Sequence, residues 1–196
     1  DGRLHFMMRA YIDGAQRDKQ PTLTSVVSES FPHLRKGAMR DFLMILESQK
    51  YFKPERWSKG ESCYTFETGS KIEFFSADQP GKVRGPRRDR LFLNECNNVP
   101  YEAFDQLEVR TKDFIFLDWN PVYEFWFYVE VKPKRTDFEF ITLTYKDNEA
   151  LSPKIIASIE QRKENKLWGT VYGEGKLGEI FGKIYTDWQI IDAIPH

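Results

Sequence analysis

The spacing of apolar residues changes along the chain between a helical and a strand period, and this period predicts the element type. Residues 3–16 place apolar side chains near helical spacing and predict an amphipathic helix. Residues 21–30 alternate β-branched and polar side chains and predict a strand. Residues 34–48 carry a broad apolar stripe and predict a helix of about four turns. Residues 62–77 alternate on both sides of a Thr-Gly-Ser turn, which predicts a β-hairpin.

The second half of the chain repeats this change of period. Strands are predicted at 90–95, 113–121 and 139–145, and a short aromatic segment at 124–131. Helices are predicted at 101–110 and at 152–165, the second with Ser152 as N-cap and Pro153 in its first turn.

Short apolar strands that alternate with helices predict an α/β fold, with a mostly parallel sheet and helices on both of its faces. A chain of 196 residues with 40% hydrophobic content can build one such core, which we place at residues 1–165. Residues 166–196 are rich in glycine and aromatic side chains without either period, and we expect them to wrap over the domain edge. Working sites of such sheets lie at the carboxyl ends of the strands.

Charge and cysteine content exclude several classes of protein. The net charge is -1, so any contact with nucleic acid must come from a local patch. Cys63 and Cys96 have no CxxC companion and the three histidines are scattered, which supports neither a zinc site nor a disulfide framework. No apolar run approaches the roughly 20 residues of a membrane span. A soluble protein of a reducing compartment is expected.

The strand at 90–95 ends on Asn94 and Glu95. An acid at the end of an apolar strand is typical of a Walker B element, where it holds Mg²⁺ through water or orients the water that attacks a phosphate. An acid that caps the next helix gives the same pattern, although Glu95 lies several residues before the helix at Tyr101. The next strand ends on Asp118, Trp119 and Asn120.

Two further motifs can bind phosphate. The loop before the Glu95 strand is rich in arginine, whose planar fork binds phosphate oxygens bidentately. Arg84 is followed by Gly85, whose missing side chain would let the backbone approach a ligand closely. Asn120 precedes Pro121, and an amide at a strand end can sense a phosphate through two hydrogen bonds. A solvated basic loop and an ordinary Asx-Pro turn are the alternatives.

Five segments, in order and spacing, resemble the ATPase domain of phage terminase large subunits, the motors that pump viral DNA into capsids. They are VVSESFPHLRKGAMRDFLMIL, KIEFFSADQPGKVRGPRRDRLFLNEC, FLDWNPVYEFWFYVEV, ITLTYKDNEALSPKIIASIEQ and LWGTVYGEGKLGEIFG. The resemblance implies a P-loop NTPase core of the additional-strand type that uses ATP and Mg²⁺. It also implies double-stranded DNA, the portal protein and the small terminase subunit as partners. A homo-oligomeric ring in the host cytoplasm, encoded by a phage or prophage and without a membrane, would be the assembly.

The resemblance also implies a role for individual residues. Glu95 would be the catalytic carboxylate that orients water, and Asn94 stands where the Mg²⁺-associated acid is usual, leaving only a weak, water-mediated metal contact. Asn120 would lie in the motif that couples phosphate state to movement. Arg84 would face the triphosphate of its own subunit or of a neighbour. Three further basic residues are predicted to contact DNA or a neighbouring subunit: Lys82, Arg87 and Arg88.

The sequence departs from the family pattern at two points. Asn94 is an amide, so Mg²⁺ would be held more weakly unless another acid substitutes for the usual one. The Gly-Lys-Ser/Thr ending of a P-loop is also missing, because each Gly-Lys pair is followed by Val, Leu or Ile. The resemblance therefore places the P-loop segment before residue 1, and the family's nuclease domain after residue 196.

Two rival functions remain open. One is another additional-strand ATPase, such as a helicase, although the sequence has no DExH-type tetrad after the Walker B strand. The other is a catalytically silent remnant that acts as a DNA- or protein-interaction module, with the basic loop and the aromatic side chains around Trp126 as its contact surface. The missing P-loop and Asn94 favour the second rival for this chain.

Overall fold

The structure is a computed structural model that describes residues 2–147 and 151–162, together with Val171 and Lys176. Its helices are α1 (Gly2–Arg17), α2 (Phe31–Lys36), α3 (Ala38–Ser48), α4 (Pro80–Val83), α5 (Tyr101–Glu108) and α6 (Pro153–Arg162). Its strands are β1 (Leu23–Ser28), β2 (Trp57–Ser58), β3 (Cys63–Thr65), β4 (Lys71–Ser76), β5 (Arg88–Leu93) and β6 (Thr111–Leu117). The segment 166–196 lies outside the described residues except at the two single positions.

The strands form one six-stranded sheet in the order β2-β3-β4-β1-β5-β6. Strands β4, β1, β5 and β6 run parallel to one another, while β2 and β3 are antiparallel additions next to β4. The predicted mostly parallel sheet and the predicted hairpin at 62–77 are both confirmed. The carboxyl ends of β1, β4, β5 and β6 meet at a single edge.

Both faces of the sheet are covered, as the apolar strands predict. Val26 and Val27 of β1 are fully buried and belong to different core clusters, because successive side chains of a strand point to opposite faces. On the Val26 face lie α1 and α3, which contribute Met8, Ile12 and Phe42. Burying each such side chain stabilises the fold by about 1.5–3 kcal/mol.

The second face is covered by α5 and by a π-helical turn at Phe127–Val131. Trp126 stacks on Phe104 of α5, with ring centroids 4.4 Å apart. Its indole Nε1 donates a hydrogen bond to the carbonyl oxygen of Val99 at 2.7 Å. Trp126 is therefore packed against the core, which argues against it as the contact surface suggested for the silent module.

Two predicted elements differ in the structure. The helix predicted at 34–48 is two helices, α2 and α3, because Gly37 between them has φ -103° and ψ -104°, which is not helical. The strand predicted at 139–145 does not form: residues 138–144 are without regular structure. A strand needs a ladder partner, and Phe138 and Phe140 pack on the ring of Phe127 instead, at 5.5 and 6.0 Å.

Helix α6 begins at Pro153, and the hydroxyl of Ser152 accepts a hydrogen bond from the backbone N–H of Ile155 at 3.4 Å. The predicted N-cap is thereby confirmed, and the predicted end at 165 lies outside the described residues. Among the helices described, none has the length and apolar character needed to cross a membrane.

Candidate functional site

A row of polar side chains follows the carboxyl edge of the parallel strands. Ser76 of β4 is paired with Ser28 of β1, Val27 with Leu93 of β5, and Leu93 with Leu117 of β6. The residues that directly follow β5 and β6 are both polar: Asn94 after Leu93, and Asp118 after Leu117. All four polar side chains of the row are buried, and buried polar groups are normally hydrogen-bonded. They are Ser76, Ser28, Asn94 and Asp118.

Glu95 stands in a strained backbone conformation directly after this row. Its φ of 51° and ψ of 52° are left-handed, which costs a residue with a side chain about 1–2 kcal/mol. The carboxylate of Asp118 compensates, since its Oδ1 accepts the backbone N–H of Glu95 at 2.6 Å. The carbonyl oxygen of Asp118 also accepts the N–H of Cys96 at 2.9 Å. The neighbouring strand therefore holds the turn in place.

The helix-capping interpretation of Glu95 is wrong. Glu95 precedes the short 3₁₀ turn at Cys96–Asn98, but its side chain caps no backbone N–H there. The N-cap position of α5 is Pro100, which has no side-chain hydrogen bond either. The carboxylate instead contacts His33 of α2, with Oε2 3.0 Å from Nε2. The carboxylate therefore lies between α2 and the β5 edge.

Asn94 is fixed on both sides of its amide. Its Nδ2 donates to the two carboxylate oxygens of Asp118 at 3.1 and 3.3 Å, and its Oδ1 accepts from the hydroxyl of Ser28 at 3.2 Å. With 4% of its surface exposed, the amide is a buried link in the row. The weak metal role predicted for Asn94 stays a prediction, and Asp118 is the acid that lies beside it.

The side chain of Cys96 lies beneath this turn and is fully buried. Burial raises the pKa of the Cys96 thiol well above its ordinary value, and the charge of Asp118 raises it further. The thiol is therefore neutral and packs as a small apolar group.

A cavity of about 470 Å³ opens in front of Glu95. It is bordered by Leu4 of α1. Helices α2 and α3 contribute cationic side chains to the same wall. The remaining lining residues are Ser30, Pro32, His33, Lys36, Gly37, Arg40, Asp41 and Asn94. The opening therefore combines the cations of Lys36 and Arg40 with the carboxylates of Asp41 and Glu95, and Arg40 pairs with Asp41 at 2.9 Å.

Arg84 lies away from this cavity. It follows the short helix α4, it is exposed, and it is not among the lining residues. Within the described part of the chain its guanidinium forms no hydrogen bond or ion pair, and the same holds for the exposed Lys82 and Arg87. These three side chains are available for contact with another molecule.

Gly85 has a local reason to lack a side chain. A Cβ at this position would lie 2.9 Å from the carbonyl oxygen of Lys82, which accepts the backbone N–H of Gly85 at 3.0 Å. The glycine permits the tight exit from α4, so the idea that it admits a ligand is not needed.

Arg88 corrects a prediction, because a DNA or subunit contact requires an exposed side chain and only 2% of Arg88 is exposed. Its Nε donates to the hydroxyl of Ser25 at 2.8 Å and its Nη1 to the carbonyl oxygen of Leu107 at 3.1 Å. The guanidinium carbon lies 5.8 Å from the ring centroid of Phe75. Arg88 ties β5 to β1 and to the end of α5.

Asn120 lies just beyond the site. The backbone carbonyl of Asn120 accepts the N–H of Val122 at 2.8 Å, so a tight Asn-Pro turn is present. Strands β5 and β6 are neighbours in the sheet and are joined through α5. Asp118 contacts the Glu95 turn. The sensing role of Asn120 stays a prediction.

Two residues of the site were missed from the sequence. Asp118 was noted only as part of a strand end, and His33 only as one of three scattered histidines. The useful signal for Asp118 was its position one residue after a buried strand, next to another strand with a polar end. His33 gave no such signal, because its contact depends on how α2 packs against the sheet.

A mostly parallel sheet with helices on both faces, and an acid-bearing turn at its carboxyl edge beside a cavity, define an α/β domain with its candidate site at the strand ends. Sequence comparison identifies the family, because the model of the phage terminase large subunit family matches residues 25–173. The chain belongs to this family.

Solved structures agree with this fold. The large terminase of a thermophilic bacteriophage has a TM-score of 0.71 and 20% identity, covering 91% of this chain and 45% of that one. The same terminase in complex with ATP-gamma-S has a TM-score of 0.68 and 19% identity, covering 89% of this chain and 44% of that one. A mutant ATPase domain of the Thermus phage P74-26 large terminase has a TM-score of 0.51 and 12% identity, covering 90% of this chain and 86% of that one.

The chain thus spans about 45% of the length of the thermophilic bacteriophage terminase. Among curated proteins none matches.

Proposed function

We propose that this chain is the ATPase module of a viral DNA-packaging motor, which couples ATP hydrolysis to the movement of double-stranded DNA into a procapsid. The observation that carries the proposal is the position of Glu95. A neighbouring strand holds it in a strained turn at the carboxyl edge, beside a cavity bordered by the first turn of α1. The thermophilic bacteriophage terminase has been solved with ADP and with ATP-gamma-S, which supports ATP as the nucleotide.

In this proposal the carboxylate of Glu95 orients the water that attacks the γ-phosphate. The phosphates occupy the cavity near the first turn of α1. The contact with His33 holds the carboxylate on the cavity side of the turn. The Glu95 carboxylate is preorganised, because the backbone of its turn is already hydrogen-bonded to Asp118.

Mg²⁺ would neutralise charge on the phosphates when bound. Magnesium usually takes one or two carboxylates and completes its shell with phosphate and water. Among the described residues no group of three metal-binding side chains exists, whereas Asp118 and Glu95 supply two carboxylates at one edge. These residues would suit an ion that the nucleotide itself mainly holds.

The remaining roles follow the exposed side chains. Arg84 lies outside the cavity of its own chain, so we assign it to the triphosphate of a neighbouring subunit in a homo-oligomeric ring. Lys82 and Arg87 would contact DNA or that neighbour, and Asn120 would couple phosphate state to movement. The portal protein and the small terminase subunit are the proposed protein partners, in the cytoplasm of the bacterial host.

Nucleotide binding tests the proposal. The 196 residues contain no Gly-Lys-Ser/Thr sequence, so this chain alone should bind ATP weakly and hydrolyse it negligibly. The full-length protein should bind ATP and hydrolyse it, and should package DNA with procapsids. Calorimetry and a phosphate-release assay on both proteins make the comparison.

Micromolar ATP binding by the chain alone would show that the phosphates lie elsewhere. A full-length protein that binds DNA or partners without hydrolysing ATP would contradict the proposal and favour the silent interaction module. The helicase rival has no support, since the family match is to terminases.

A further inference from the structure

Asp118 holds three consecutive residues of the neighbouring strand end. Its carboxylate accepts the side-chain amide of Asn94 and the backbone N–H of Glu95, and its carbonyl oxygen accepts the backbone N–H of Cys96. A left-handed backbone on a residue with a side chain persists only where the surroundings determine it. Here the surroundings that determine it come largely from one residue of the β6 end, which is 8% exposed.

Asn94 matches this arrangement because it is an amide. A carboxylate at position 94 would put two buried negative charges about 3 Å apart, which raises the free energy of the charged pair strongly. It would also remove the donor that Asp118 accepts. The hydroxyl of Ser28, bonded to Oδ1 of Asn94, fixes the amide so that Nδ2 faces Asp118. One amide and one acid therefore complement each other across two strands.

We propose that Asp118 is a positioning residue for Glu95, and that Asn94 and Asp118 form an interdependent amide–acid pair in which the single negative charge lies at the end of β6 instead of β5. The pair sets the backbone of the Glu95 turn and so the direction in which the Glu95 carboxylate enters the cavity. The catalytic part of this inference rests on the proposed ATPase function; the pairing itself does not.

A charge swap tests the pair in the full-length protein. The variants are Asn94→Asp, Asp118→Asn, and the double variant Asn94→Asp/Asp118→Asn. Asp113→Asn is the matched control, because it is the same chemical change at an exposed position of β6 that pairs with Lys112. For each protein the urea unfolding midpoint, kcat, KM and ATP affinity are measured at a temperature well below melting.

Each single change should lower the unfolding midpoint. Asn94→Asp places two carboxylates side by side, and Asp118→Asn places two side-chain N–H groups against each other. Each should lower kcat about tenfold or more while KM and ATP affinity change little, the pattern of a misplaced catalytic group. The double variant should recover most of the midpoint and of kcat, because an amide at 118 can accept from Glu95 and donate to an acid at 94. The control should match the wild-type protein.

Additive losses in the double variant would overturn the pair. Recovery of the unfolding midpoint without recovery of kcat would overturn the positioning role and leave a structural contact. If the wild-type protein does not hydrolyse ATP, the proposed function fails, but the unfolding midpoints still decide whether the two residues are coupled.

Discussion

Arg87 and Arg88 show how little the type of a residue says about its role. Both belong to one basic run, and the sequence predicts the same contact for both. In the structure Arg87 is exposed, whereas Arg88 is buried and donates to a hydroxyl and to a carbonyl oxygen. The difference arises because Arg88 is the first residue of β5, where its side chain must enter the covered side of the sheet.

The two arginines therefore make a matched pair of variants. Arg88→Ala should destabilise the protein by about 2–4 kcal/mol, because it removes the buried hydrogen bonds to Ser25 and Leu107 and the packing against Phe75. Arg87→Ala should change stability by no more than about 0.5 kcal/mol. Urea denaturation of both variants measures the difference. Equal effects would contradict the structural role of Arg88.

At the scale of an element, the short helix α4 depends on two glycines with opposite requirements. Gly85→Ala should destabilise the protein by more than about 1 kcal/mol, because the new Cβ meets the Lys82 carbonyl oxygen at 2.9 Å. Gly81→Ala is the control inside α4, since a Cβ there has nothing within 4 Å.

The control should stabilise the protein by about 0.4–1 kcal/mol, because alanine restricts the unfolded chain. Thermal melting of both variants gives the two signs. A neutral Gly85→Ala would mean that the exit from α4 relaxes easily, and it would restore the interpretation in which this glycine admits a ligand.

Elements with their own periodicity could be predicted from the sequence. The alternation of strands and helices indicates the parallel sheet and its two covered faces, and the alternation of residues around the Thr-Gly-Ser turn indicates the hairpin. Both predictions succeed because the spacing of apolar residues reports which faces of an element are buried. The strand at 139–145 failed because alternation says nothing about a ladder partner. The break at Gly37 was missed because the apolar stripe continues through it on both sides.

The site was predictable only in part, and for a similar reason. Glu95 could be found because an acid ends an apolar strand. The hydrogen bonds of Asp118 to residues 94–96 depend on the register between β5 and β6, which no local pattern specifies. The His33 contact depends on tertiary packing of α2. The resemblance to terminases supplied roles that periodicity alone does not give.

At the scale of the whole molecule, Arg84 tests whether the active site is shared between subunits. Arg84→Ala should slow ATP hydrolysis in the assembled full-length protein, because the developing charge on the phosphate loses a guanidinium. If Arg84 acts on a neighbouring subunit, mixing the Arg84→Ala protein with the Glu95→Gln protein should restore part of the activity. Some interfaces then combine an intact Arg84 from one subunit with an intact Glu95 from the next. Phosphate release across mixing ratios makes the measurement.

Activity that simply follows the dilution of two inactive proteins would contradict action between subunits. Arg17→Ala is the control, as an exposed arginine at the end of α1 for which no role at the phosphate, at DNA or at a neighbouring subunit is proposed.

The central claim is that Glu95 acts on water, and one variant tests it most directly. Glu95→Gln keeps the size of the side chain and leaves the backbone bonds to Asp118 intact, so the melting temperature and the ATP affinity of the full-length protein should stay close to wild type. Hydrolysis should fall by roughly 10²-fold or more, the scale of losing a positioned general base. Glu102→Gln, the same change at an exposed position of α5, should leave both quantities unchanged.

Turnover and melting are measured on the same Glu95→Gln preparation. We expect lost turnover in a protein that melts normally. A lower melting temperature with near-normal turnover per folded molecule would contradict it and give Glu95 a structural role.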